Sequence, residues 1–170
     1  MSLQNYRTFL NQADTHFEQV KHKFRSQFKC ANGCHACCQS GLTVSSIERE
    51  NIKAFLLANP VVLTHVRSSK AIEDKCEFLG EDGACLIYSA RPFVCRSHGA
   101  PIAIAEADYY RIDVCDLNFQ SLDIADLPPE EFFLLDDWNL CLSSYGSAIR
   151  FPLTPSGILE GEQAFEPSIE

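Results

Sequence analysis

The sequence predicts a mainly α fold with small β elements, entered through a long N-terminal amphipathic helix. Three observations predict it. Apolar residues recur at steps of three and four over residues 3–28. Two further stretches carry helix starts and stops. Alternating or turn-flanked strand patterns are confined to short pieces near cysteines.

The first helix is read from Tyr6, Phe9, Leu10, Ala13, Phe17, Val20, Phe24 and Phe28, with polar residues on the other face. Gly33 breaks the pattern. A second helix is expected from Ser45 or Ser46, because Ser45 and Glu48 have capping-box spacing. Asn59-Pro60 should stop or kink it, with another turn or two over 61–67. Residues 76–88 read as a hairpin turning at Asp82-Gly83. Pro92 suits the first position of a short helix, and residues 109–115 alternate weakly, as a strand would. A third long helix is expected from about Pro128 to Tyr145, capped by Asp126 and ended by Gly146. From Arg150 the chain reads as an irregular strap and then, over 158–170, a loose acidic end.

Composition excludes several classes. At 170 residues the chain can bury one real core, and 1–170 is read as a single domain. No apolar run approaches the ~18 residues of a membrane span. The N-terminus lacks the continuous apolar core of a secretory signal. A cytoplasmic setting is therefore expected, where thiols stay reduced. The net charge is −9, and all of it falls in Ser121–Glu170, which holds ten acidic residues and one basic. With no broad basic face, nucleic acid is not an expected partner. The basic residues Lys21, Lys23, Arg25 and Lys29 read as a solvated helix face, or as charges that help ionise the thiols that follow.

The chemistry lies in nine cysteines. Cys30, Cys34, Cys37 and Cys38 form C-x3-C-x2-C-C, and Cys76, Cys85, Cys95 and Cys115 follow. An odd count, adjacent cysteines and a reducing compartment argue against a disulfide framework. Thiolates this close repel one another unless a cation holds them, so the cluster asks for a metal. Soft thiolates select zinc, copper(I) or iron–sulfur units. Neighbouring side chains such as those of Cys37 and Cys38 diverge, by about 100° on a helix. They suit two metals or two edges of one larger cluster, and both arrangements stay open. C-x3-C-x2-C also occurs in radical enzymes that bind a [4Fe–4S] cluster and S-adenosylmethionine. Here a helix precedes it, and the alternating βα pattern of a barrel is missing.

The combination of Cys37-Cys38 with Cys76-Glu-Phe-Leu, Cys85-Leu-Ile-Tyr88 and Arg91-Pro92-Phe93-Val94-Cys95-Arg96 resembles the cysteine-cluster family of zinc- or iron-chelating domains of the CxxCxxCC type. The resemblance covers about residues 30–115. The first gap has three residues rather than two, which sets Cys30 apart from Cys34, Cys37 and Cys38. The resemblance implies bound zinc or iron, as mononuclear sites or an iron–sulfur cluster, in an irregular metal-stapled α+β domain. Some relatives are fused to, or act as, flagellin lysine methylases, so an iron–sulfur enzyme acting on a protein substrate is the alternative to a plain metal-binding module.

Arg91 and Arg96 flank Cys95 and are candidates to balance thiolate charge. Each also reads as an ordinary surface pair or turn cap. His35 and His98 could replace a cysteine ligand or be structural. Cys141 reads as a core residue of the third helix. No nucleophile–base–orienter set and no glycine-rich phosphate loop is present.

Overall fold

In the computed structural model, residues 2–161 are described apart from Asn32 and Ala148. Helix α1 spans Leu3–Lys23, with the Ser2 side chain accepting the Asn5 N–H at its start. It buries Tyr6, Phe9, Leu10, Ala13 and Val20, the periodic stripe of the sequence. It ends five residues earlier than expected. Phe24 leaves the helical region, and a 3-10 turn follows at Arg25–Gln27. Phe24 and Phe28, which flank the turn, both pack on Phe119, at ring separations of 5.7 and 5.3 Å.

Strand β1 (Thr43–Ser45) leads into α2 (Ser46–Ala58), and the expected Ser45–Glu48 capping box is formed. Asn59 breaks the helix and Pro60 starts α3 (Pro60–Ser68). The expected hairpin over 76–88 shrinks to a single bridge between Leu79 and Cys85. Its turn is as read: Gly83 donates to the Gly80 carbonyl at 2.9 Å and takes φ +78°, which favours glycine. The arms are too short for a ladder because each bends at its cysteine. Helix α4 (Phe93–Ser97) follows, with Pro92 just outside it as the cap residue.

Strands β2 (Ile102–Ala105) and β3 (Tyr110–Asp113) pair antiparallel, and β4 (Phe133–Leu134) adds parallel to β2. That third strand corrects the expected 128–145 helix. The Phe133 N–H donates to the Pro101 carbonyl at 2.9 Å, so the Phe-Phe-Leu-Leu run enters the sheet edge. Helix α5 therefore begins only at Leu135 and ends at Ser143. Asp123, rather than Asp126, caps the preceding 3-10 turn, and Gly146 lies beyond the helix's end cap at Ser144. The strap is also regular: β5 (Arg150–Pro152) pairs antiparallel with β1, and α6 (Pro155–Leu159) follows, with Ile158 fully buried. The expected loose end thus starts no earlier than Glu160, and 162–170 lies outside the described residues.

The core has three parts. Tyr6, Phe9 and Leu10 of α1 pack on Phe93 and Phe133, and Trp138 stacks on Phe93 at 5.4 Å. Val44, Ile52, Leu56, Phe78, Ile87, Leu153 and Ile158 form a second cluster, against which Cys76, Cys85 and Cys95 rest. Val20, Phe28, Phe119 and Phe132 form the third, which touches Cys30. Among the described residues, no helix is long and apolar enough to cross a membrane.

Candidate metal centre

The first four cysteines sit on the loop that leaves α1. Local turns hold this loop, with Cys34 N–H on the Ala31 carbonyl and Cys38 N–H on the His35 carbonyl, both at 3.0 Å. Its end is pinned to the second group. The Cys76 N–H donates to the Cys38 carbonyl at 3.2 Å, and Gln39 bridges Lys75. Cys76 and Cys85 flank the Gly80–Gly83 turn, and Cys95 projects from α4.

These elements place six of the sequence-predicted thiols on one cavity of about 360 Å³: Cys34, Cys37, Cys38, Cys76, Cys85 and Cys95. Arg91 and His98 line it too. Cys30 and Cys115 lie outside that lining. Cys115 lines a neighbouring cavity of about 470 Å³, together with Cys37 and His98. Cys141 is exposed on α5, correcting its reading as a core residue. His35 is not among the residues lining the six-thiol cavity and lies beside Gly83, which is.

Burial is the main influence on several of these thiols. It pushes Cys76 and Cys85 up and raises Cys95 to about 12. Hydrogen bonds from the backbone of Phe78 to Cys76 and of Ile87 to Cys85 pull the other way, favouring thiolate. The Cys37 thiol donates to Cys38, so Cys37 is held protonated and Cys38 is shifted down. Arg91 favours the charged forms of Cys37, Cys85 and Cys95. Its guanidinium lies 3.7 Å from the Tyr88 ring centre, and its Nε donates to the Tyr88 carbonyl at 3.1 Å.

Arg96 does a different job. It is buried, and it donates through Nε to the Arg91 carbonyl and through Nη2 to the Ser89 carbonyl, both at 2.9 Å. Its remaining nitrogen pairs with Asp14 of α1. It clamps the loop that presents Arg91 and faces away from the thiols. His98 bonds the Val94 carbonyl through Nδ1, which leaves Nε2 as the free ring nitrogen.

The donor set fits a soft metal. Six thiols line an apolar site, where burial disfavours the charged forms of Cys76, Cys85 and Cys95 until a cation replaces their protons, and backbone N–H groups already face two sulfurs. As placed, no three His, Cys, Asp or Glu side chains among the described residues form a group able to hold an ion. The thiols ring the cavity, and closing them on a metal requires side-chain rotation.

Sequence reasoning named Tyr88 only within a motif, with no role at the site, and did not find Asn118. Asn118 is 1% exposed, accepts the Lys29 N–H at 2.8 Å, and donates to Cys30 Sγ at 3.3 Å and the Gly99 carbonyl at 2.7 Å. No local pattern marks it, because its partners lie 19 and 88–89 residues away.

Residues 29–116, just over half of the chain, match a family model described as "CxxCxxCC: Putative zinc- or iron-chelating domain". The matched span takes in the eight cysteines from Cys30 to Cys115 and leaves out Cys141. Comparison with curated proteins and with solved structures found no match.

Proposed function

This chain belongs to the CxxCxxCC family, described as a zinc- or iron-chelating domain, and from that premise we propose that it is a metal-binding protein whose cavity thiols hold zinc or iron. One observation carries the reading: six cysteines from three separate stretches of chain line a single cavity. Cys34, Cys37 and Cys38 supply one wall, Cys76 and Cys85 a second, and Cys95 a third. Arg91 balances part of the thiolate charge. The metal would join the loop after α1 to the Gly80–Gly83 turn and to α4, so binding energy contributes to folding. Free thiols throughout suit a reducing compartment, and we place the protein in the cytoplasm.

A second reading is an iron–sulfur protein with redox or catalytic work, including methyl transfer to a protein substrate. It is favoured by the cavity's size, since about 360 Å³ exceeds the ~30 Å³ share of one water many times over.

Anaerobic purification followed by metal and sulfide analysis tests both. Stoichiometric zinc in a colourless protein supports the first reading and sinks the second. Brown protein with iron and acid-labile sulfide supports the second. Metal content should fall in Cys37→Ser and stay unchanged in Cys141→Ser, and full occupancy in Cys37→Ser would refute the ligand assignment.

A further inference from the structure

We infer that the groove between α1 and α2 is a second binding site, which takes a small molecule through one oxyanion group, a carboxylate or a phosphate, held by Arg7 and Asn51. The inference goes beyond the metal-binding reading and does not rest on it.

The groove encloses a cavity of about 470 Å³, within the ~300–1,000 Å³ of small-molecule pockets. Residues of α1 and α2 line it, and Ser89, Ala90 and Arg96 complete the lining. None of its lining residues lines the thiol cavity.

The charged residues on its wall are Arg7, Arg96 and Asp14. Two guanidinium groups against one carboxylate leave one net positive charge, on a chain whose net charge is −9. Arg96 and Asp14 satisfy each other. Arg96 is buried, spends Nε and Nη2 on the Arg91 and Ser89 carbonyls, and meets Asp14 through Nη1. The charge left over belongs to Arg7.

Asn51 orients that charge. The Arg7 Nε donates to Asn51 Oδ1 at 3.0 Å, across 44 residues of chain. Neither Nη group of Arg7 makes a hydrogen bond or an ion pair among the described residues. Asn51 is only 5% exposed, and its Nδ2 makes no hydrogen bond among the described residues either. A buried amide whose N–H groups lack an acceptor is costly until a partner arrives. A helix-to-helix staple would need the Nε contact alone. The unused fork of Arg7 and the unused amide of Asn51 instead offer several N–H donors with no acceptor, the pattern that recognises an oxyanion. Leu10 and Phe55 give the rest of the ligand an apolar surface.

The test uses the full-length protein as purified and two probes, inorganic phosphate and benzoate, titrated separately at low ionic strength. NMR follows the side-chain N–H resonances of Arg7 and Asn51. At least one probe should bind saturably and move those resonances, and the probe that does so tells phosphate from carboxylate. Arg7→Met should weaken binding roughly tenfold or more. Asn51→Asp keeps an acceptor for Arg7 and neutralises its charge, so it should weaken binding as much. Arg111→Met removes a positive charge outside the cavity and should leave affinity within about twofold of wild type. Saturable binding of neither probe overturns the site. So does Arg7→Met protein that binds like wild type, or Arg111→Met protein that loses as much as Arg7→Met. If Arg7→Met does not fold, Asn51→Asp decides alone.

Discussion

Glu48 Oε1 accepts the backbone N–H of Phe93 at 3.0 Å, across 45 residues of chain. The carboxylate is buried, and its other oxygen accepts from the Ser45 N–H and hydroxyl at 2.7 and 2.9 Å. One side chain thus closes the start of α2 and satisfies the first N–H of α4, the helix that carries Cys95. Glu48→Ala leaves two buried N–H donors unpaired. It should cost about 2–4 kcal/mol in denaturant unfolding and lower metal content with it. Stability within ~0.5 kcal/mol of wild type would show that α4 is held by other contacts.

Arg96→Met removes the clamp on the Ser89 and Arg91 carbonyls and keeps most of the apolar stem. A loss of about 2–3 kcal/mol is expected. Arg91→Met, by contrast, removes a cavity charge and should weaken metal affinity more than stability. Parallel denaturation and metal titration of the two variants separate these roles. Equal metal affinities with equal stabilities would refute the division.

Gly99→Ala places a methyl against Cys30 Sγ at a φ that L side chains rarely adopt. It should destabilise by about 1–3 kcal/mol. Asn118 holds the Gly99 carbonyl in place, so relaxation is restricted. Thermal unfolding reads the effect directly, and an unchanged midpoint would mean that the loop shifts freely.

Metal binding should release protons. Cys76, Cys85 and Cys95 are raised by burial, Cys95 to about 12, so in the metal-free protein they carry protons at neutral pH. Apparent affinity for zinc should therefore rise with pH. The same shifts make the metal-free fold weaken as pH climbs from about 9 toward 12, because the unfolded chain loses those protons first. Zinc added to weakly buffered protein with an indicator measures the release, and no acidification would contradict the prediction.

His16 works at the other end of the scale. Burial shifts it below its ordinary value, its Nε2 has no hydrogen-bond partner among the described residues, and its ring meets Phe133 edge-on at 4.5 Å. A lowered folded pKa leaves stability intact above about 6.5 and erodes it as pH falls further. In the metal-free protein, His16→Gln should lose less stability between about pH 7 and 5 than wild type does. Identical slopes would remove His16 as a cause.

Where a feature depends on residues a few positions apart, it could be read directly. The α1 stripe, the Ser45–Glu48 box, the Asn59-Pro60 break and the Asp82-Gly83 turn are all of this kind. The expected 128–145 helix failed because its first part pairs with β2, whose partner residues lie some thirty positions earlier. Helical propensity in that run gave way to hydrogen bonds available only from a distant strand. The strap at 150–152 was missed for the same reason, since its partner is β1.

The sequence by itself determined the candidate donors: eight thiols in spacings that suit a metal, on a chain with a long amphipathic helix. Tertiary structure decided how those donors are arranged. It put six thiols on one cavity, set Cys30 and Cys115 beside Asn118, turned Arg91 toward the sulfurs and Arg96 away from them. Thiol chemistry belongs to each residue wherever it stands. Direction and company come only from packing between segments tens of residues apart, and a local pattern carries no record of them.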